Sequence, residues 1–272
     1  MAQTAAEEIS DDVLLREDSA GVTTLTLNRP KQRNSLSEAL MAALTQEMKA
    51  VAEDPSVRVV VLAANGPVFC AGHDLKELTA ARQQEDRGRT YYQDIMKRCS
   101  TMMLSILQNP KPVIAKVHGT ATAAGCQLVA TCDLAIAADD THFATPGVNI
   151  GLFCSTPMVA LSRNVSRKHA MEMLLSGDMI DADHAADIGL INRTAPPAML
   201  HSEVTKLATK IASKSSLTVS IGKQAFYDQL ELGISDAYAY TSDVMVMNML
   251  THDAEEGVNA FIEKRAPTWQ DR

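Results

Sequence analysis

Two stretches of small residues have the composition to bring backbone amides close to a bound carbonyl group. The first, residues 118–125, contains only one residue larger than threonine and follows the β-branched run 113–117. Small side chains let the backbone approach a ligand closely. The helical spacing of Cys126, Val129 and Ala130 predicts that a helix begins at the end of this stretch. The unpaired N–H groups of a helix start carry partial positive charge, which stabilises an oxyanion.

The second stretch, residues 67–77, also follows an apolar run, 57–62, and passes through small residues into a predicted helix start. A single strand, loop and helix start is common in α/β proteins, where it is often only a structural turn. Two of them in one chain can each direct one amide at the same carbonyl oxygen. We therefore treat the pair as a candidate oxyanion site.

The elements that must position these loops alternate in the first half of the chain and become helical in the second. Strands are predicted over 22–27, 57–63, 113–117 and 134–138, and the aliphatic run 57–63 is typical of a strand covered on both faces. Ser35 or Ser37 is suited to cap the first helix. Helices are predicted over 35–52, 90–107, 156–163, 166–175, 181–187, 197–213, 215–230, 233–249 and 252–263.

Composition limits the possible partners. The chain has 272 residues and a net charge of −8, which argues against broad nucleic-acid binding. Its five cysteines form no CxxC pair and no metal-ligand spacing, so we expect reduced, buried thiols. The first residues are polar and acidic, and no apolar run approaches the ~18 residues of a membrane span. We therefore predict a cytoplasmic protein without a membrane partner.

Several motifs in a fixed order resemble the crotonase (enoyl-CoA hydratase/isomerase) superfamily. They are Phe-Cys-Ala-Gly-His-Asp-Leu-Lys-Glu at 69–77, Gly-Thr-Ala-Thr-Ala-Ala-Gly-Cys-Gln at 119–127 and Phe-Ala-Thr-Pro-Gly-Val-Asn-Ile-Gly-Leu at 143–152. The resemblance begins at residues 25–30 and reaches residues 261–265, so it covers nearly the whole chain. Within the superfamily, the chain is most similar to the branch called enoyl-CoA hydratase domain-containing protein 3, through Ala-Thr-Ala-Ala-Gly-Cys-Gln at 121–127, Pro-Gly-Val-Asn at 146–149 and Gly-Leu-Phe-Cys-Ser-Thr-Pro at 151–157.

The resemblance implies an α/β fold, a crotonase-like spiral of ββα units with a helical C-terminal trimerisation region. Residues 1–200 would form the spiral core with an acyl-CoA site, and residues 201–272 would form the helical region. The implied ligand is a coenzyme A thioester, with no permanently bound cofactor and no metal. The implied assembly is a homotrimer, or a hexamer made of two trimers.

By motif position, the resemblance places the two oxyanion donors on the backbone N–H groups of His73 and Ala124. The His73 imidazole then has either a chemical role or a packing role beside the ligand. Asp74 either caps the following helix or takes part in catalysis. For the basic residues the alternative to phosphate binding is a solvated charge cluster. The implied coenzyme A contacts are Arg29, Lys31, Arg33, Ala71, His73, Asp74, Leu75, Lys76, Ala124 and Lys264.

The chain departs from hydratases at the two positions that carry their catalytic glutamates. The first position is Gln127 and the second is Gly147. An amide cannot exchange a proton near neutral pH and glycine has no side chain, so both acid–base groups are missing. The neighbouring positions used by related isomerases also lack a carboxylate, since they read Val148, Asn149 and Ser155. Weak or absent hydratase activity is therefore expected.

Three functions stay open at this point. The first is an acyl-CoA-binding protein that polarises a thioester carbonyl. The second is other thioester chemistry, such as hydrolysis, decarboxylation or C–C cleavage, with a water held by Gln127 or Asn149. The third is a non-catalytic acyl-CoA-binding or scaffold protein. Cys126 and Cys154 lie near the expected acyl pocket, but no adjacent base marks either thiol as a nucleophile.

Overall fold

A computed structural model describes residues 12–272, which form an α/β fold with two sheets. The polar N-terminal residues 1–11, on which the prediction of location rests, lie outside the described part of the chain. The strands are β1 (Leu14–Ser19), β2 (Val22–Leu27), β3 (Val59–Ala64), β4 (Val113–Val117), β5 (Thr120–Thr122), β6 (Leu134–Ala138), β7 (His142–Ala144), β8 (Ile180–Asp181) and β9 (Arg193–Ala195).

The larger sheet has the order β1-β2-β3-β4-β6-β9. Within this sheet, β1 and β2 pair antiparallel, and every later pair is parallel. The smaller sheet has the order β5-β7-β8, with β5 parallel to β7. Each of β4 and β6 therefore continues, after a short turn, into a strand of the smaller sheet. Parallel pairs need long crossovers, which helices supply here.

The helices follow the predicted pattern closely. Ser37 caps the first of them, because its Oγ accepts a hydrogen bond from the Leu40 N–H at 3.2 Å. Five strands were not predicted: β1, β5, β7, β8 and β9. The last four contain only two or three residues each, which is too few to show a period. The helices are α1 (Glu38–Glu53), α2 (Leu75–Ala81), α3 (Arg89–Leu107), α4 (Ala124–Thr131), α5 (Pro157–Asn164), α6 (Arg167–Ser176), α7 (Ala182–Asp187), α8 (Leu200–Ala212), α9 (Ser216–Leu230), α10 (Ile234–Met249) and α11 (His252–Glu263).

Both faces of the larger sheet are covered. Val60 and Leu62 of β3 belong to the main core with residues of α1 and α3. Val59 and Val61 point to the other face and pack with Val204 and other residues of α8. This alternation confirms the prediction that the aliphatic strand is buried on both sides.

Helices α10 and α11 and the turn between them carry an exposed apolar surface. Ile234, Leu250 and Phe261 are 78%, 82% and 84% exposed, although residues of this type are usually buried. Helix α8 packs on the larger sheet, and the division of the chain at residue 200 stays a prediction. Within residues 12–272, no helix has the length and apolarity to cross a membrane.

Candidate active site

A cavity of about 510 Å³ lies between the loop before α2, the start of α4 and the segment 146–157. Of the residues proposed from sequence, the cavity brings together Ala71, His73, Leu75, Ala124 and Gly147. The cavity lining does not include the following proposed residues: Arg29, Lys31, Arg33, Asp74, Lys76, Gln127 and Lys264.

The direction of the His73 N–H follows from that of the Gly72 carbonyl, because the two groups belong to the same peptide unit. Leu36 N–H donates to Gly72 O at 2.8 Å, and Asp74 N–H donates to Leu36 O at 3.1 Å. In a trans peptide the C=O and N–H bonds point in opposite directions. Because Gly72 O faces Leu36, the His73 N–H faces away from Leu36. Among the described residues it has no acceptor within hydrogen-bond distance.

The N–H of Ala124 is directed in the same way. Gln127 N–H donates to Ala123 O at 3.0 Å, as the first bond of α4, so the Ala124 N–H points out of the helix start. Ala123 has φ 51° and ψ −118°, a region that residues other than glycine rarely adopt and that costs about 1–3 kcal/mol. This conformation turns the chain from β5 into α4. The Ala124 N–H also has no acceptor among the described residues.

Close backbone contacts hold the two loops together. Cys70 N–H donates to Thr120 O at 3.2 Å, and Thr122 N–H donates to Cys70 O at 3.0 Å. A Cβ on Gly72 would lie 2.9 Å from the Ala123 Cβ and 3.4 Å from the Ala124 N, and one on Gly125 would lie 2.1 Å from Cys70 O. Glycine is therefore required at both positions, and the contacts bring the Gly72–His73 peptide beside the start of α4.

Asp74 is engaged in structure on the outer side of the first loop. Its Oδ1 accepts from the Lys76 N–H at 3.1 Å, so Asp74 caps α2. Capping was one of the two roles that the sequence suggested for this residue. Its Oδ2 accepts from Arg29 Nη2 at 3.0 Å and from Ser35 Oγ at 3.3 Å. Burial works to raise the pKa of this carboxyl, but the hydrogen bonds from Arg29 and Lys76 outweigh it, and the pKa is lowered.

The two positions where hydratases carry glutamates are built differently from each other. A Cβ on Gly147 would lie 2.8 Å from Leu152 O and 2.9 Å from Cys154 Sγ, so the neighbouring chain occupies the space of a side chain. Gln127 is buried at 6% exposure, and its Oε1 has no hydrogen-bond partner among the described residues. None of the described residues that line the cavity carries a carboxylate. Its polar side chains belong to His73, Asn149, Ser155 and Thr156, together with the Cys154 thiol.

The pKa values of the histidine and of the two cysteines at or near the cavity are shifted toward the neutral forms. Burial lowers the pKa of His73, whose Nε2 is shielded and has no partner among the described residues. Burial raises the pKa of Cys126 to about 12 and also raises the pKa of Cys154. Neither thiol is a thiolate near neutral pH. Within residues 12–272, no group of three His, Cys, Asp or Glu residues could hold a metal ion.

The proposed phosphate-binding cations fall into two groups. Four of them are exposed and make no side-chain ion pair or hydrogen bond with the described residues, namely Lys31, Arg33, Lys76 and Lys264. Arg29 is committed to Asp74. Arg265, which neighbours Lys264, pairs with Glu256 and Glu263 at 2.6 Å each. Of the cations proposed from sequence, these four exposed side chains are therefore the ones available to an anionic ligand.

Sequence reasoning missed most of the apolar wall of the cavity. Leu78 and Met96 come from α2 and α3, whose positions beside the cavity depend on tertiary packing. Ile150 ends the 3₁₀ helix at 146–150, Leu152 and Phe153 follow it, and the three are 61%, 48% and 41% exposed. The available signal was this group of three large apolar residues at the end of the third family motif.

The family model described as enoyl-CoA hydratase/isomerase matches residues 17–272. The chain is 46% identical over 268 residues to the rat enoyl-CoA hydratase domain-containing protein 3, mitochondrial, covering 98% of this chain and 88% of the relative. It is 48% identical over 249 residues to the human protein of that name, covering 92% and 80%. The family and branch suggested by the motifs are therefore confirmed.

The predicted cytoplasmic location is wrong by this comparison. The rat and human relatives are both named mitochondrial. The prediction rested on the acidic, polar N-terminal residues, which lie outside the described part of the chain.

Solved structures agree with the sequence relatives. A crystal structure of an enoyl-CoA hydratase from Mycobacterium smegmatis matches with a TM-score of 0.90 and 53% identity, covering 94% of this chain and 98% of that one. The crystal structure of the human protein matches with a TM-score of 0.90 and 46% identity, covering 94% and 100%. The fold is thus the crotonase fold, and the chain belongs to the enoyl-CoA hydratase/isomerase family, in the branch of enoyl-CoA hydratase domain-containing protein 3.

Proposed function

We propose that the cavity binds an acyl-CoA thioester and polarises its carbonyl oxygen between the N–H groups of His73 and Ala124. The observation that carries this proposal is that each of these peptide units has its carbonyl fixed by another hydrogen bond, so each amide is free on the opposite side. A relative from Escherichia coli that is 33% identical is named 2,3-dehydroadipyl-CoA hydratase, which supports a CoA-thioester ligand. Two such donors stabilise an enolate by several kcal/mol, since removing one comparable donor costs about 10²–10³ in rate.

Hydration itself is proposed to be weak or absent. Hydratases need groups that exchange protons with water and with the α-carbon. Gln127 cannot exchange a proton, and the space beside Gly147 is filled by Leu152 and Cys154. No described carboxylate lines the cavity in their place. Each missing acid–base group costs about 10²-fold or more.

The coenzyme A part of the ligand is proposed to bind the exposed cations Lys31, Arg33, Lys76 and Lys264. Its phosphates are anionic, and these side chains have no carboxylate partner among the described residues. Local cations of this kind attract an anionic ligand even though the whole chain carries a net charge of −8. The exposed apolar surface of α10 and α11 is proposed to be the contact that forms the homotrimer or hexamer.

Two measurements test the proposal. Crotonyl-CoA labelled with carbon-13 at the thioester carbonyl is bound to the purified protein, and its infrared carbonyl band is compared with that of the free ligand. We expect a shift to lower frequency, because hydrogen bonds to the oxygen weaken the C=O bond. Hydration of crotonyl-CoA is followed separately, and turnover comparable to that of ordinary hydratases would refute the proposed lack of acid–base groups.

Thioester hydrolysis is a second candidate function. Asn149, Ser155 and Thr156 line the cavity with groups able to hold a water molecule near the polarised carbonyl. Release of free coenzyme A from a panel of acyl-CoA esters tests this activity. A ligand that binds with a shifted carbonyl band but is neither hydrated nor hydrolysed would favour the non-catalytic binding protein instead.

A further inference from the structure

The ion pair between Arg29 and Asp74 occupies a position that the proposed chemistry does not use directly. Arg29 Nη2 donates to Asp74 Oδ2 at 3.0 Å, with the two side chains 16% and 11% exposed. The cavity lining includes neither residue. A partly buried pair of this kind is costly to break from one side only, because the remaining charge loses its partner.

The pair joins the loop after β2 to the loop that carries the His73 amide. Arg29 Nη1 donates to Ser35 O at 2.6 Å, which fixes the chain immediately before Leu36. Leu36 in turn holds Gly72 O and the Asp74 N–H, the groups on either side of His73. The guanidinium therefore holds both strands of the short parallel bridge between Leu36 and His73.

This arrangement fixes the Gly72–His73 peptide, whose N–H is the proposed oxyanion donor. Gly72 is held from one side by its contact with Ala123 and Ala124, and Asp74 is held from the other by Arg29 and Ser35. If the Arg29–Asp74 contact is lost, the chain between Gly72 and Asp74 keeps its hydrogen bonds to Leu36, but Asp74 loses the guanidinium that ties it to the carbonyl of Ser35. A small rotation of that peptide turns the N–H away from a bound oxygen.

We propose that Arg29 and Asp74 are positioning residues for the oxyanion donor at His73, acting through Leu36 and the Gly72–His73 peptide. This rests on the proposed function, because it assumes that the His73 amide binds a thioester oxygen. It assigns to Arg29 a role in place of the phosphate contact that the family resemblance implied. The guanidinium fork contacts a backbone carbonyl and a carboxylate together, which a lysine at this position would not reproduce.

The test makes two measurements on each variant. One is the infrared carbonyl band of bound carbon-13-labelled crotonyl-CoA, and the other is the Kd of crotonyl-CoA by calorimetry. Arg29→Met and Asp74→Asn are expected to lose most of the shift to lower frequency, while Kd stays within the same order of magnitude. Arg29→Lys is expected to keep an intermediate shift, because the charge remains but the fork is lost. Circular dichroism and thermal unfolding establish that each variant is folded.

A matched control separates positioning from stability. Lys223 and Asp133 form a second partly buried pair, at 2.7 Å, between α9 and the chain after α4, away from the Leu36–His73 bridge. Lys223→Met is expected to lower the unfolding temperature and leave the carbonyl shift unchanged. If Arg29→Met fails to fold, Asp74→Asn and Arg29→Lys still provide the comparison.

Two outcomes are distinguishable. If the wild-type protein binds crotonyl-CoA without any carbonyl shift, the proposed function is wrong. If the wild type shows the shift and the folded Arg29 and Asp74 variants show the same shift, the amide is polarising the carbonyl but the ion pair does not position it. The second result overturns this inference and leaves the proposed function in place.

Discussion

The two sides of the cavity differ in how many contacts hold them. On the side of the two free amides, several backbone hydrogen bonds and the close contacts at Gly72 and Gly125 hold the loops. A hydratase also needs one side chain at position 147, on the other side of the cavity, and one at position 127, which here lies on α4 and outside the cavity lining. Such a side chain can be replaced while the fold is kept, whereas a backbone donor depends on the whole loop. This difference is consistent with the proposal that the chain keeps two amide donors for a thioester oxygen and lacks the side chains that exchange protons.

The largest expected effect comes from breaking the backbone contact at Gly125. In Gly125→Ala the new Cβ would lie 2.1 Å from Cys70 O, so the two loops must separate. We expect a loss of about 3 kcal/mol in the free energy of unfolding, measured by urea denaturation, because overpacking against backbone cannot be relieved by a rotamer change. The carbonyl shift of bound crotonyl-CoA should also disappear in any folded fraction.

The control for that variant is a glycine with free space around it. Gly222 lies inside α9, and a Cβ there would meet nothing within 4 Å. Gly222→Ala should raise stability by about 1 kcal/mol, since glycine is a poor helix former. An unchanged stability in Gly125→Ala would show that the loops adapt easily and would remove the contrast between the two sides.

The second prediction probes the other side at Gly147. In Gly147→Ala the Cβ would meet Leu152 O and Cys154 Sγ at 2.8 and 2.9 Å. Leu152 and Phe153 are exposed, so fewer contacts oppose a shift of this segment, and we expect a smaller loss of about 1–2 kcal/mol in the free energy of unfolding, also by urea denaturation. Gly147→Glu should not create hydratase activity by itself, because the displaced segment forms part of the cavity wall. Efficient crotonyl-CoA hydration by that variant would contradict the proposed packing.

The contrast between the two sides also describes what the sequence could predict. The loops, their adjacent strands and both free amides followed from small residues after aliphatic runs and from the family motifs. The packing of Leu152 and Cys154 against Gly147 could not be predicted, because no local sequence pattern encodes that contact. Arg29 was expected at a phosphate, since its position beside the loop was visible but its carboxylate partner, 45 residues later, was not.

The third prediction concerns Gln127, which is buried. In Gln127→Glu a carboxyl group replaces the amide at a site of 6% exposure, and burial raises the pKa of a carboxyl. The folded variant then retains a proton that the unfolded chain releases above an ordinary pKa of about 4.3. Stability relative to wild type should therefore fall as the pH rises from 5 to 7, by about 1–3 kcal/mol. A constant difference between pH 5 and pH 7 would show that the carboxyl is solvated.

The fourth prediction tests the packing beneath the two amide loops through their thiols. Burial raises the pKa of Cys70 and of Cys126 to about 12, from an ordinary value of 9.0. Above that ordinary value the unfolded chain releases protons that the folded chain retains, so stability should fall as the pH rises beyond 9. Each thiol contributes about 1.4 kcal/mol per pH unit at most. Cys126→Ala should show a shallower decline between pH 9 and 11, and an equal slope would mean that this thiol is accessible.

The smallest effect is expected for the His73 side chain, although its backbone is central to the proposal. His73→Phe keeps the N–H and a ring of similar size, so the carbonyl shift of bound crotonyl-CoA should stay at its wild-type value. Burial lowers the pKa of the imidazole, so the unfolded wild-type chain binds a proton before the folded one as the pH falls below about 6.5. The wild type should therefore lose more stability than the variant when the pH falls from 7 to 5. Thermal unfolding of both proteins at the two pH values measures this difference. If His73→Phe folds and binds the ligand but loses the carbonyl shift, then the imidazole, and not the amide, contacts the thioester.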